Sequence, residues 1–366
     1  MKNHMRSIVW RYIASSYLYN LIFIALVLLG LIMFFDIIEL LRRASKFDNV
    51  PFWRVMQMAI LKLPEVGQTI FPFVILFSAI FTFWHFNRRY EVTIFRTAGY
   101  SVWQFAAPVI AVGFAVGVVM TTIVNPVGTI LIQKFNVLEN NLIVRDAPQI
   151  SYFENGLWLR QPSDEGYTIL HSRKIDMNTK TLQKITVLSF DNEDSYKWRI
   201  DAPSGQLSDG VWEFKNANFT EPSEPVRENV DIRLPTDITA SKIRESFADA
   251  PSLSFWKLPS HIRTVRQTGF DAANLRIHYQ NLLAQPFLFA SLVLIAACVT
   301  LRPPRTQAVF GLIVVGVAMG FVIFFLSNFL QALGASHQIA VPVAAWAPFL
   351  ITVFFGAGVI LMLEDG

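Results

Sequence analysis

The chain has a single cysteine, Cys298, among its 366 residues, and charged residues make up only 16% of it. A lone cysteine excludes an internal disulfide. The patterns of nucleotide-binding, zinc-protease, redox and serine-hydrolase sites are also missing, and the six histidines have no metal-ligand spacing. We therefore do not expect an enzyme, and any energy that the protein uses has to come from a partner.

Apolar residues are abundant instead, since 53% of the chain is hydrophobic, 32 residues are Phe and the mean hydropathy is +0.41. Six apolar segments each reach the length of about 20 residues that a helix needs to cross a bilayer. Their approximate bounds are Tyr12–Phe35, Val55–Trp84, Trp103–Val124, Asn281–Leu301, Val309–Leu333 and Val343–Leu363. We predict an α-helical integral membrane protein with six transmembrane helices, divided into 1–124, an inserted polar domain at 125–280, and 281–366.

Positive charge is concentrated outside the inserted block, with 13 Lys and Arg against 7 Asp and Glu, compared with 18 against 20 within it. This distribution argues against nucleic acid as a partner and fits topology signals or anionic lipid. Basic residues cluster near residues 2–11, 88–96 and 302–305, whereas acidic residues largely offset those at 42–54. The positive-inside rule predicts both termini in the cytoplasm and the inserted block outside it, in the periplasm of a bacterium with two membranes.

The inserted block alternates apolar and polar residues as β-strands do. Alternating segments flank the dipeptides Asn155-Gly156 and Asp209-Gly210, which favour tight hairpin turns. About eight to ten short strands with regularly spaced turns indicate a sandwich or a β-jelly-roll-like domain. A polar-faced helix is expected at Phe255–Thr268, before the fourth apolar segment.

The loop between the second and third segments, about residues 85–101, contains a helix-competent stretch closed by Gly99, which suits a helix C-cap. Two interpretations stay open from the pattern alone. The loop either docks an energy-supplying partner or is a connector whose charges only fix the topology. In the first interpretation the contacting residues are Arg89, Glu91, Val92, Phe95 and Arg96.

The outer end of the first segment carries two adjacent arginines, Arg42 and Arg43, whose planar heads suit phosphate groups. The alternative is that they pair with Glu39 one turn away or reach lipid headgroups. In the second segment, Lys62 and Glu65 are expected to pair across i, i+3.

Two further features concern the apolar segments themselves. Pro64 and Pro72 predict a kinked or interrupted second helix. No Asp, Glu, Lys or Arg lies between Val309 and Leu363, and the fifth segment is rich in Phe. This favours an apolar cargo or no cargo, since ion pathways carry buried polar groups. The alternative is that these phenylalanines only face lipid and pack helices.

These motifs resemble the lipopolysaccharide export permease family, LptF/LptG, along essentially the whole chain. Besides the arrangement of three helices on each side of a β-domain, the resemblance rests on the following residues: Leu63-Pro64-Glu65, Phe71-Pro72, Glu91–Gly99, Asn155-Gly156-Leu157-Trp158, Phe255–Gly269, Gln285-Pro286, Leu333-Gly334, Val341-Pro342 and Ala345-Trp346-Ala347-Pro348. The stretch from Phe35-Asp36 to Arg42-Arg43-Ala44 is more similar to the LptG branch.

The resemblance implies a permease subunit of an ABC transporter in the bacterial inner membrane, which extracts lipopolysaccharide and passes it to a periplasmic bridge. Its implied partners are a second, LptF-like permease, an LptB-like ATPase dimer that binds ATP and Mg, and LptC-like and LptA-like jelly-roll proteins. Carried over by position, Glu91 and its neighbours contact the ATPase, whereas Arg42, Arg43 and Lys134 hold lipid phosphates. The same comparison implies acyl-chain contacts for Phe321, Phe324 and Phe325.

Two alternatives come from the residues themselves. The missing ATPase motif and the large external domain also fit an envelope sensor or scaffold that transports nothing. A permease for another lipid or for lipoprotein shares the first mechanism. Co-purification of a stoichiometric ATPase and a second permease separates the transporters from the scaffold.

Overall fold

The computed structural model describes most of the chain, and every structural statement below refers to the described residues: 2–46, 50–142, 149–153, 156–163, 166–176, 181–191, 193, 195–208, 210–222, 224–236, 253–267, 271–301 and 309–365. They form two compact units. The helical unit contains Met1–Leu138, Pro251–Leu258 and Arg276–Gly366, and the sheet unit contains Glu139–Ala250 and Pro259–Leu275.

Helices make up the helical unit and flank the sheet. Their bounds are α1 Lys2–Ala44, α2 Phe52–Arg88, α3 Glu91–Thr97, α4 Val102–Val119, α5 Asn125–Leu142, α6 Leu258–Gln267, α7 Ala273–Thr300, α8 Val309–Ala335 and α9 Val341–Asp365. A π-helical turn, Met120–Val124, joins α4 to α5 into one helical run.

Six of these helical stretches are long and apolar enough to cross a membrane, as the hydropathy predicted. Helices suit this role because all their backbone polar groups are paired within the segment. Several spans are longer than their apolar segments. The third runs over Val102–Glu139, so residues 125–138, which we expected among the helices that flank the β-domain, continue a helix of the helical unit.

Helix α2 runs through Pro64 and Pro72 as one α-helix, so the predicted interruption is absent from the described span. Side chains donate hydrogen bonds to backbone carbonyl groups along the helix. The Gln68 amide lies 3.4 Å from the Pro64 carbonyl oxygen, and the Thr82 hydroxyl donates to Ser78 O at 2.7 Å.

Small residues let the helices approach closely. A Cβ atom at Gly316 would lie 2.5 Å from Ile80, and one at Gly320 would lie 3.0 Å from the ring of Phe73. These two glycines, four residues apart on α8, therefore form the face that packs on α2, as small residues do between membrane helices.

The sheet unit holds one antiparallel sheet whose seven described strands pair in sequence order. The strands are β1 Gln149–Phe153, β2 Gly156–Ser163, β3 Gly166–Asp176, β4 Thr181–Phe190, β5 Tyr196–Ser208, β6 Val211–Thr220 and β7 Arg227–Pro235. Alternate residues of neighbouring strands are buried, among them Leu159, Leu170, Val187 and Ile200, and these form one apolar face.

Both predicted hairpins are confirmed by strand pairing, because Tyr152 pairs with Leu157 and Leu207 pairs with Trp212. The turn residues Asn155 and Asp209 lie outside the described residues. Pairing in sequence order is a meander, whereas a jelly roll has Greek-key crossings. The described strands therefore do not confirm the predicted jelly roll. The predicted helix at Phe255–Thr268 begins only at Leu258, and Thr268 lies outside the described residues.

Candidate functional site

Helix α3 is the predicted docking element, and its two ends are sharply defined. It begins after Tyr90, whose backbone is left-handed at φ 61°, and runs over Glu91–Thr97. Gly99 has φ 83°, and its N–H lies 3.0 Å from Arg96 O. The predicted glycine cap is thus confirmed, since glycine adopts this conformation without steric cost.

The side chains of α3 divide into an anchoring side and an exposed side. Val92 is buried, and the ring of Phe95 packs on Phe105 at 5.5 Å between centroids. Ile94 is 62% exposed and Tyr90 is 64% exposed, and Arg89 and Arg96 are also exposed. Two of the predicted docking residues, Val92 and Phe95, therefore fix the helix to its own unit, while Arg89 and Arg96 face outward.

Glu91 is held from the first helix. The Tyr12 hydroxyl of α1 donates to the Glu91 carboxylate, with oxygen distances of 3.2 and 3.4 Å. The Tyr12 ring also packs on Phe86 of α2, with centroids 5.8 Å apart. The role of Tyr12 was not predicted, because its partner is 79 residues away along the chain.

The arginine pair at the end of α1 is engaged by one carboxylate. Arg42 donates to Glu39 through two nitrogens at 2.7 and 2.8 Å, and Arg43 Nε lies 3.0 Å from the same carboxylate. The two arginine side chains are 64% and 49% exposed. The predicted pairing with Glu39 is confirmed, and the exposed guanidinium groups remain accessible to anions because surface pairs hold their partners weakly.

A second ion pair on α1 was missed. Lys62 Nζ of α2 lies 2.6 Å from Asp36 Oδ1, and the two side chains are only 30% and 17% exposed. The same ammonium lies 5.9 Å from the ring centre of Phe135 on α5. Lys62 therefore joins three helical stretches, an arrangement that the predicted local pairing with Glu65 did not include.

The predicted lipid-contact residues lie on three different helices. Phe321, Phe324 and Phe325 are brought together on α8 with centroid distances of 5.9 and 6.2 Å, and Phe73 of α2 contacts the first two at 5.8 Å. Lys134 is exposed on α5, and the arginine pair is on α1. Phe321 and Phe325 are also largely exposed, so the cluster offers an apolar surface.

A cavity of about 290 Å³ lies beside this cluster, between α2, α7, α8 and α9. Phe73, Phe289 and Phe324 are part of its apolar wall, and Gln68, His278 and Asn281 are part of its polar wall. This polar wall was not predicted, because only Asp, Glu, Lys and Arg were taken as signals of a pathway through the last segments. Their helical spacing on α7, at positions 278, 281 and 285, was the available signal.

Among the described residues, no three His, Cys, Asp or Glu side chains are grouped so that they could hold a metal ion. The arrangement instead offers a docking helix, an exposed basic pair and an apolar surface with a cavity. Such groups are suited to recognising a partner and an amphiphile.

Comparisons with known proteins agree with this description. The model of one family, described as lipopolysaccharide export system permease LptF/LptG, matches residues 11–364. The chain is 22% identical over 353 residues to the lipopolysaccharide export system permease protein LptG of Haemophilus influenzae, covering 93% of this chain and 94% of that protein. It is 20% identical over 317 residues to LptG of Escherichia coli K12, covering 81% and 83%.

Proposed function

This chain belongs to the lipopolysaccharide export system permease family LptF/LptG, and from this premise we propose that it is the LptG-like subunit of an ABC transporter. The transporter extracts lipopolysaccharide from the inner membrane and passes it toward the outer membrane. The observation that carries the proposal is the match over nearly the whole chain, and the described α3 adds a docking helix with an exposed side.

Energy comes from a partner in this proposal. An LptB-like ATPase dimer binds ATP and Mg on the cytoplasmic side and contacts Arg89, Glu91, Ile94 and Arg96. Val92 and Phe95 transmit the movement, because they pack within the helical unit. An LptF-like permease completes the membrane part.

The acyl chains of the cargo explain why an apolar path through the protein is needed. Exposing an acyl chain to water costs about 0.8 kcal/mol per CH₂, so a 12-carbon chain costs roughly 10 kcal/mol. Phe321, Phe324 and Phe325 offer an apolar surface to such chains. Arg42 and Arg43 supply charge for phosphates, since guanidinium groups bind phosphate through paired hydrogen bonds.

The sheet unit lies in the periplasm in this proposal, with both termini in the cytoplasm. Only β1 and β7 have a single neighbour among the seven described strands, so they are the two edges of the sheet. An edge strand pairs readily with another strand. We assign one of these edges to an LptC-like or LptA-like jelly-roll protein, with which the sheet forms a continuous jelly-roll-like bridge.

The proposal is tested by Glu91→Lys in the complex reconstituted in proteoliposomes. We expect ATP hydrolysis without lipopolysaccharide release, because the reversed charge disrupts docking and the bond from Tyr12. Thr93→Lys, at an exposed position of the same helix, is the matched control for an added charge. Normal lipid release by Glu91→Lys would overturn the assigned role of α3, and a chain that purifies without ATPase or second permease would favour the scaffold.

A further inference from the structure

The cavity between α2, α7, α8 and α9 is divided into a polar part and an apolar part. His278 and Asn281 of α7 face it together with Gln331 of α8 on the polar side. Leu76, Leu292 and Ile323 are among its apolar residues. Such a division matches an amphiphile, which has a polar head and a hydrocarbon chain.

One buried polar group on this wall has no partner. Among the described residues, His278 Nε2 is the one buried side-chain nitrogen or oxygen without a hydrogen bond. The amides of Asn281 and Gln331, both half-buried, line the same wall. Buried polar groups are normally paired, so the His278 nitrogen indicates a ligand that supplies a hydrogen-bond partner, and the two amides offer it further donors and acceptors.

The wall carries no formal charge, which limits the kind of head group. No Asp, Glu, Lys or Arg is among the described residues that line the cavity. An ionic head in such a place would lose its hydration without gaining a counter-charge. Hydroxyl, ester and amide groups fit, because amides and imidazoles bond to them without charge.

The size of the cavity sets the number of chains. Ligand cavities range from about 300 to 1,000 Å³, so a volume of about 290 Å³ is at the small end. It is too small for a lipid with several acyl chains and suits one chain. Asn328 lines the cavity and is exposed, so the cavity opens at the surface of α8.

We propose that this cavity binds one acyl chain bearing an uncharged hydroxyl, ester or amide group, with His278, Asn281 and Gln331 as its hydrogen-bond partners. The site is separate from the arginine pair but shares Phe324 with the proposed acyl-chain surface. Where the exported cargo supplies the chain, the inference rests on the proposed function. Two sources supply this chemistry: a single chain of a bilayer lipid, or one chain of the exported cargo.

The site also contacts the π-helical turn. Gln68, on the cavity wall, accepts a bond from Asn125 Nδ2 at 2.9 Å, and Asn125 Oδ1 accepts one from Phe255 N at 2.8 Å. Thr121 donates to Gln285 Oε1 at 3.2 Å on the same wall. A ligand in the cavity therefore lies against Gln68 and Gln285, whose hydrogen bonds order the end of α4 and the segment before α6.

The test uses the full-length chain, with the subunits that accompany it, in nanodiscs of phosphatidylethanolamine and phosphatidylglycerol. The probe is a monoacylglycerol with a 12-carbon chain that carries a photoreactive diazirine, and labelled peptides are identified by mass spectrometry. We expect saturable labelling of peptides that contain Leu288, Phe289 or Phe324. Labelling that does not saturate, or that spreads evenly over all spans, would mean that the cavity holds only water and would overturn the proposal.

Two variants and a control sharpen the result. Ser327→Phe fills the cavity and should abolish the saturable labelling, whereas Ala332→Phe, exposed on the same helix, should not change it. His278→Phe removes a group that has no partner, so its thermal unfolding should be unchanged while probe affinity falls about fivefold, as for one lost hydrogen bond. Wild-type probe affinity in both cavity variants would overturn the proposal.

Competition identifies the source of the chain. If added lipopolysaccharide displaces the probe, the site holds a cargo chain, and if it does not, the site holds a bilayer lipid. Neither ATP nor the ATPase is needed for labelling, so a failure here is distinguishable from a failure of the export proposal.

Discussion

Two ion pairs near the C-terminal end of α1 use the same kinds of side chain in opposite ways. Asp36 and Lys62 connect two helices and are mostly shielded, whereas Glu39 holds Arg42 and Arg43 within one helix at an exposed surface. Burial raises the cost of an unpaired charge, so the first pair has to stay closed. The second exchanges Glu39 for another anion at little cost. One pair therefore positions helices, and the other is available to a ligand.

The largest effect is expected from Lys62→Met, which leaves Asp36 partly buried without its partner. We expect a loss of roughly 1.5–3 kcal/mol in the free energy of unfolding, the range for hydrogen bonds to charged groups. Thermal unfolding in detergent measures it. The double variant Asp36→Leu with Lys62→Met should regain most of the loss, because no charge is then left unpaired. An equal loss of stability in the single and the double variant would contradict the role of the Asp36–Lys62 pair in positioning the helices.

A smaller effect on stability and a larger one on binding are expected from Arg42→Ala combined with Arg43→Ala. The unfolding temperature should stay at the wild-type value, since both side chains are exposed. Capture of lipopolysaccharide by a photoreactive residue at Leu41 should fall, because the phosphate partners are gone. The matched double lysine variant keeps the charge without the paired hydrogen bonds and should be intermediate. Unchanged capture would remove the pair from the lipid site.

The smallest effect concerns a third ion pair, Arg199 with Asp201 on β5, whose atoms Nε and Oδ2 are 2.6 Å apart. Burial raises the pKa of Asp201, but hydrogen bonds from Arg199 and Thr186 outweigh it and hold the pKa below its ordinary value. Because the folded pKa is the lower one, this stabilisation is present at neutral pH and is lost as pH falls through it, below about 4. The far-ultraviolet circular dichroism of the sheet should therefore show a weaker acid transition in Asp201→Asn. Glu228→Gln, at an exposed carboxylate on β7, is the control, and identical transitions in both would contradict the assignment.

Local patterns predicted the elements of the fold well. Hydropathy located all six spans because each span is apolar over its own length. The Gly following Asn155 and Asp209 placed two hairpins, since the turn type depends on adjacent residues. The order of the strands in the sheet was not predictable in this way. Alternation of apolar and polar residues shows which side chains are buried, but it does not show which strands pair.

The candidate site was predicted less completely, for a related reason. Arg42, Arg43 and Glu39 lie within one turn, so their pairing followed from helix periodicity. The partners of Lys62 and Glu91 come from other helices, 26 and 79 residues away. The cavity needs four helices to enclose it, so its polar wall was visible only as a spacing on α7.

The proposed topology places the sheet unit and α3 on opposite sides of the membrane. It is tested most directly by labelling single cysteines in intact and permeabilised spheroplasts with a membrane-impermeant maleimide, after Cys298→Ala. Lys215→Cys on β6 and Thr93→Cys on α3 are both exposed positions. We expect Lys215→Cys to be labelled in intact spheroplasts and Thr93→Cys to be labelled only after permeabilisation. The reverse pattern would contradict it.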